Sequence, residues 1–129
     1  MDANLLNGLS LAYIGDAVFL KKNIENVFNL GYFKVKKIHK IFCFYNSGKN
    51  QSEIIIYYFF YGIFSEEEEE IYKRGRNSHN HSVRKNIDIQ SYMEATGFEA
   101  IIGYLYLSNN FTRINELVDI CIKYRTEEM

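Results

Sequence analysis

The sequence predicts a single all-α domain, and three observations lead there. There is no proline in 129 residues, while aromatic residues make up 16%. That combination suits long uninterrupted helices better than a loop-rich sandwich. Two almost wholly apolar stretches, residues 9–20 (LSLAYIGDAVFL) and 97–107 (GFEAIIGYLYL), run at helix length. Elsewhere the apolar residues recur at the three- and four-residue spacing of one helix face. A chain of this length makes one domain, residues 1–129, with a real core. Its 47% hydrophobic and 24% charged residues are the proportions of a soluble globular protein.

Asn4 or Asn7 is positioned to cap a first helix that passes through Asp16 to about Phe28, with Gly31 as its stop signal. Val35, Ile38, Ile41, Phe42 and Tyr45 mark a second helix over 34–45, broken by the Asn-Ser-Gly of 46–48. Residues 52–64 have strand propensity in their Ile, Tyr and Phe, but their neighbours favour a helix. The five glutamates after Ser65 look like an acidic tail and are better explained as a helix start. Ser65 serves as N-cap with Glu68 as its capping-box partner, and first-turn carboxylates suit the positive end of the helix dipole. This helix is expected to reach about Lys73 and stop near Gly75. A helix over 88–95 follows, then a hinge at Thr96 and Gly97, then a helix bearing Glu99 that ends around 108–110. The last helix covers 111–124, with Ile114, Leu117, Val118, Cys121 and Ile122 inside.

Cys43 and Cys121 form no CxxC pair, so neither zinc nor redox chemistry is indicated and both are expected as buried, reduced thiols. The chain opens Met1-Asp2 without a basic segment, so no signal peptide is expected. The longest apolar run, 54–64, is about half the ~20 residues that span a bilayer. The expected location is cytoplasmic, with no membrane partner.

Each of the two apolar stretches carries one acid. Asp16 has Ala12, Tyr13, Phe19 and Leu20 at its helical i±3 and i±4 positions; Glu99 has Ala95, Thr96, Ile102 and Gly103. Neither set contains a cation. A carboxylate isolated in a core is costly, so such groups are paired, hydrogen-bonded or bound to metal. Gly15, Gly97 and Gly103 lie beside them and allow helix backbones to approach closely, so the two helices are expected to cross with both carboxylates in one cleft. Two such groups suit a hard divalent ion, Mg²⁺ first, held with several waters. The alternatives are that each acid pairs with a distant Lys or Arg, or stands on an exposed face.

The net charge of −1 is uninformative, but its distribution is not. Residues 73–85 contain Lys73, Arg74, Arg76, Arg84 and Lys85, with Asn77, His79 and His81, and no acid. Phosphate backbones reward this pattern because each neutralised phosphate releases counterions. A solvated loop with bases at the negative end of a helix dipole accounts for it equally well. Lys34, Lys36, Lys37, His39, Lys40 and Lys49 form a second basic cluster that can line the same groove. His79-Asn80-His81 spells HNH, but the nucleases of that name need a ββα metal fold that a helical pattern does not supply.

LAYIGDAVF, residues 11–19, resembles the signature helix of ribonuclease III domains, whose core is LEFLGDA, and TGFEAIIGYLYL is similar to their second motif, DxxEAxxGxxYL. With FSEEEEEIYKRGRN between them, the order is similar to that of the short bacterial subgroup, Mini-ribonuclease III, from about Leu6 to Val118. The resemblance implies an all-helical ribonuclease III-like homodimer that cuts double-stranded RNA with Mg²⁺ and trims large-subunit (23S) ribosomal RNA precursors. It implies Asp16 and Glu99 as catalytic, metal-holding residues. It implies RNA contact through the two basic segments, at Lys73, Arg74, Arg76, Asn77, Arg84, Lys85 and Lys49. Full-size enzymes have two further carboxylates where this chain has Ala12 and Thr96, substitutions that look typical of the short subgroup; Asp88 is a candidate extra carboxylate or a helix N-cap. At this chain length no separate double-stranded-RNA-binding domain like that of full-size enzymes is expected, so the grip on RNA is expected to come from this domain. The rival reading is an RNA-binding or ribosome-assembly module without catalysis, and a third is a helical dimer whose first helix serves only as an interface.

Overall fold

The computed structural model describes residues 1–45, 48–78 and 89–128, with side chains 42, 44–45, 48–51 and 125–128 excepted. A 3₁₀ turn, Ala3–Leu5, precedes α1 (Gly8–Asn29), α2 (Val35–Tyr45), α3 (Gly48–Phe60), α4 (Glu66–Arg76), α5 (Ile89–Leu107) and α6 (Phe111–Glu128). No strand occurs among the described residues, as the sequence predicts.

Local signals set most of the helix ends. Asn7 caps α1, its Oδ1 accepting from Ser10 N at 2.8 Å, while Asn4 lies in the preceding turn. Beyond α1 the chain reverses at Gly31, whose φ of +91° is a left-handed conformation that glycine adopts without strain. Ser65 caps α4 and the capping box closes in both directions: Glu68 N to Ser65 Oγ at 3.1 Å and Ser65 N to Glu68 Oε1 at 2.9 Å.

Three expectations are corrected by packing. α3 ends at Phe60 rather than at 64, because the chain turns over Tyr61 and Gly62, the latter at φ +60°. Gly75 does not end α4 but lies inside it, where a Cβ would come within 2.7 Å of Ala100 Cβ and 2.8 Å of Thr96 O. Nor do Thr96 and Gly97 form a hinge; α5 runs through them unbroken. The Thr96 hydroxyl donates back to Tyr92 O at 2.9 Å, and a Cβ on Gly97 would lie 2.7 Å from the Tyr72 ring. These glycines permit close helix approach, which sequence alone does not separate from a break. Asp88 lies outside the described residues.

α5 is the central rod, packed against α1, α3, α4 and α6. Thr96–Phe98 and Ala100–Leu105 are all buried, the pattern of a helix covered on every side. An aromatic chain ties its neighbours to it: Phe19 meets Phe98 edge-on at 5.3 Å, Phe98 stacks on Tyr58 at 5.5 Å, and Tyr58 reaches Phe64 at 4.9 Å. Tyr58 is fully buried, and its hydroxyl donates to Leu117 O on α6 at 2.6 Å. α2 docks on the end of α1 through a separate cluster of Val27, Ile38 and Ile41, and also touches α3.

The most elaborate polar contact joins α4 to α6. Arg113 donates from Nε to Glu68 Oε2 and from Nη2 to Glu68 Oε1, both at 2.8 Å, from Nη2 to Ile63 O at 2.7 Å, and from Nη1 to Glu116 Oε2 at 3.0 Å. Burial pushes the Glu68 carboxyl up, but the hydrogen bonds and charge of Arg113, with the Ser65 N–H, outweigh it and hold the group below the usual glutamate value.

Candidate active site

The site is set by how closely α1 and α5 cross. A Cβ on Gly15 would overlap the carbonyl oxygen of Glu99 outright, and would lie 2.7 Å from the carbonyl carbon and 2.8 Å from Gly103 N. In return, a Cβ on Gly103 would overlap Leu11 O and lie 2.8 Å from Ile14 Cγ2. The two backbones therefore touch, and only glycine fits at either position. Asp16 follows Gly15 directly, so its helix abuts the backbone of Glu99. The predicted crossing of the two acid-bearing helices is present.

The predicted burial of Asp16 is not. Leu11, Ala12, Gly15 and Phe19 form the inner face of α1, while Tyr13, Asp16, Ala17 and Leu20 look outward. So apolar a run predicts core on all sides, whereas the outer face of α1 is exposed. Glu99 is half-buried and borders a cavity of about 20 Å³ lined by Phe19, Ile54, Ile55, Ala95, Phe98 and Cys121. Ala12 and Thr96, where full-size enzymes have carboxylates, are both buried, and the Thr96 hydroxyl is committed to its own helix. Among the described residues, no group of three His, Cys, Asp or Glu side chains gathers to hold a metal. Asp16 and Glu99 stand on adjoining helices, and carboxylate oxygens are the hard ligands that suit a hard cation keeping most of its waters.

The predicted RNA-contacting residues sort into three groups. Lys73, Arg76 and Asn77 are exposed at the C-terminal end of α4, where Asn77 N–H caps the Lys73 and Gly75 carbonyls and Arg76 Nε donates to Asn77 Oδ1 at 3.4 Å. Arg74 is partly committed elsewhere: its Nη1 donates to Asn4 O at 3.0 Å and Leu6 O at 3.2 Å, tying the N-terminal turn to α4. Lys49 begins α3, though its side chain, like Arg84, Lys85, His79 and His81 entirely, lies outside the described residues. Lys34, Lys36, Lys37 and Lys40 of the second basic cluster are exposed on and beside α2, which packs at the C-terminal end of α1. Of the two cysteines expected to be buried, Cys121 is; Cys43 is exposed on α2, with its Sγ 3.5 Å from His39 Nε2.

Sequence reasoning misses two features here. Tyr13, one turn before Asp16, is 86% exposed, and with Leu9 and Leu20 it lays an apolar stripe along the outer face of α1. Its one signal in the sequence is the helical spacing from Asp16. Glu94 accepts from Gln90 Nε2 at 3.1 Å while its buried Oε2 makes no hydrogen bond. The hydroxyl of nearby Tyr72 is pushed up to about 12 by burial and then by the Glu94 charge, with Arg76 acting in the opposite sense.

An all-helical domain with an acid on each of two touching helices has a counterpart among known proteins. Residues 9–110 match the Ribonuclease III domain, which makes the class an endoribonuclease acting on RNA. The chain is 41% identical to the Mini-ribonuclease 3 of Streptococcus pneumoniae, covering 95% of this chain and 96% of that one. It is 40% identical to the Mini-ribonuclease 3 of Enterococcus faecalis, covering 95% and 92%. A crystal structure of a Fusobacterium nucleatum protein superposes with a TM-score of 0.82 at 29% identity, over 96% of this chain and 98% of that one. The chain belongs to the Mini-ribonuclease 3 branch of the ribonuclease III family.

Proposed function

We propose that this protein is a Mg²⁺-dependent endoribonuclease that cuts double-stranded RNA as a homodimer, with the large-subunit (23S) ribosomal RNA precursor as its substrate in the cytoplasm. The observation that supports the reading is the glycine-mediated contact of α1 with α5, in which Gly15, the residue before Asp16, meets the backbone of Glu99. Asp16 and Glu99 are the residues that would hold the metal. When bound, such an ion acidifies a water and offsets the charge that develops on the scissile phosphate.

The chain's own residues supply position and charge. Glycines at the crossing fix how closely the two acid-bearing helices approach, so the backbones that carry Asp16 and Glu99 are held by direct contact. Lys73, Arg76 and Asn77 are exposed at the C-terminal end of α4, a basic surface suited to the phosphates and 2′-hydroxyls by which A-form duplex is read, and in sequence the acid-free run continues to Arg84 and Lys85. Arg74 supports that surface by anchoring the chain's N-terminal turn. The exposed stripe of Leu9, Tyr13 and Leu20 flanking Asp16 supports a two-fold contact through α1, one site then facing each strand. No helix among the described residues is long and apolar enough to cross a membrane.

The test is Asp16→Asn, a near-isosteric change at an exposed position. It should abolish cleavage of a defined RNA duplex in Mg²⁺ while leaving the circular dichroism spectrum and the mass in solution unchanged. Retained cleavage removes Asp16 from the mechanism, and wild-type cleavage in excess EDTA removes the metal. Mapping new ends on precursor ribosomal RNA tests the substrate.

A further inference from the structure

From Asn26 to Ser52 the chain contains no acid, but it contains Lys34, Lys36, Lys37, Lys40, Lys49 and His39. The structure gathers the centre of this segment at one end of the molecule, where α1 turns through Gly31 into α2. Lys34, Lys36, Lys37 and Lys40 are all exposed there. So are aromatic rings that a folded monomer gains nothing by exposing: Phe33 at 72% and Tyr32 at 41%. Lys37 Nζ sits 5.5 Å from the centre of the Tyr32 ring, and Phe28 lies 6.1 Å from Phe33 at a tilt. Val27 and Ile41 anchor the tip from beneath, leaving the rings and lysines to face outward together.

We infer that this tip binds an unpaired RNA strand running off the end of the duplex that the enzyme cuts, an inference that rests on the duplex-cutting reading above. Exposed lysines on a stretch of chain that contains no acid complement a phosphate backbone. The exposed rings narrow the choice further. A closed A-form duplex hides its base faces and is gripped through phosphates and 2′-hydroxyls, so aromatic rings have nothing to stack on. An unpaired strand offers base faces, and alternating rings and cations form the platform on which such strands lie. The distance suits this arrangement. Val27, the docking point of α2, is eleven residues along α1 from Asp16, which is roughly 16 Å at the helix rise. The tip therefore sits beyond the cleavage residues along the same helix, where a tail leaving the duplex can reach it.

The experiment compares three RNAs in EDTA, so that none is cut: a blunt duplex, the same duplex with a single-stranded tail on one end, and the tail alone. Wild-type protein should bind the tailed duplex about tenfold or more tighter than the blunt one. The double variant Tyr32→Ala/Phe33→Ala, changed only at exposed rings, should erase that preference while leaving blunt-duplex binding, Mg²⁺-dependent cleavage of the blunt duplex and solution mass unchanged. Lys34→Gln/Lys36→Gln should reduce the salt slope for the tailed duplex by about 1.4. Equal wild-type binding of tailed and blunt duplexes overturns the inference while leaving the nuclease reading intact. A change of solution mass in the aromatic variant overturns it in favour of contact between copies, and ring-dependent binding to vesicles containing phosphatidylserine overturns it in favour of a lipid surface. If the wild type neither binds nor cuts the blunt duplex, the duplex-cutting reading falls and takes this inference with it.

Discussion

Replacing Gly15 by alanine adds one carbon at the point where α1 and α5 touch. That carbon would overlap the Glu99 carbonyl oxygen and lie 2.7 Å from its carbon, whereas ordinary contact begins at 3.4 Å. Relief from the carbon alone requires 0.7 Å (3.4 − 2.7), and clearing the oxygen requires more. Both obstacles are backbone, so no side chain can swing away and the helices themselves must part. Overpacking of this kind costs about 1–3 kcal/mol; at ~4 °C per kcal/mol for a chain of this size, the melting temperature should fall by roughly 4–12 °C. The effect on activity should be larger in proportion, because the movement shifts the helix that carries Asp16 away from the helix that carries Glu99, and a misplacement of ~1 Å can cost about 100-fold in rate. The assay is single-turnover cleavage of a blunt RNA duplex well below the melting point, with thermal unfolding followed by circular dichroism. Gly103→Ala serves as a partner, since its Cβ would strike Leu11 O in the same crossing. A Gly15→Ala protein that melts and cleaves like the wild type would show that the crossing does not set the site.

The Arg113–Glu68 contact is expected to matter most for stability. Arg113→Ala leaves a carboxylate that is 6% exposed without its guanidinium, and because Arg113 is itself 24% exposed the low end of the buried-pair range applies, about 3 kcal/mol by urea unfolding. Glu68 titrates below its usual value in the folded state, so the native protein holds fewer protons there than the unfolded chain. The stability it confers is full above the unfolded pKa of about 4.3 and is lost as pH falls through the lower folded value. Glu68→Gln should therefore flatten the acid limb of a stability–pH curve, and an unchanged limb would contradict the assignment. Asn7→Ala, removing the 2.8 Å cap of α1, should cost about 1 kcal/mol in the same unfolding assay.

What is legible in the sequence is what neighbours in the chain decide. The capping box of Ser65 and Glu68, the Asn7 cap and the reversal at Gly31 each depend on residues within a few positions of one another. Both acid-bearing helices are visible for the same reason. Their crossing is visible too, because glycines in the middle of two apolar helices have little use except to let backbones meet. Residues whose role is set across the fold mislead. Gly75 and Gly97 look like a stop and a hinge, yet each clears room for a helix distant in sequence. The Asp16 helix looks buried all round because composition reports how apolar a stretch is and not which face is covered. Arg113 gives no local sign of its role, since its partner lies 45 positions away.

The docking of α2 has a consequence for motion. Among the described side chains it is seated through Val27, Ile38 and Ile41, in a cluster separate from the main core. A helix seated on a cluster apart from the main core is expected to open at a lower free energy than the central rod. Its backbone amides should exchange with deuterium well ahead of those in α5, as one cooperative unit. Such opening would leave closed the crossing of α1 with α5 at Gly15 and Gly103, which lies farther along α1 from α2.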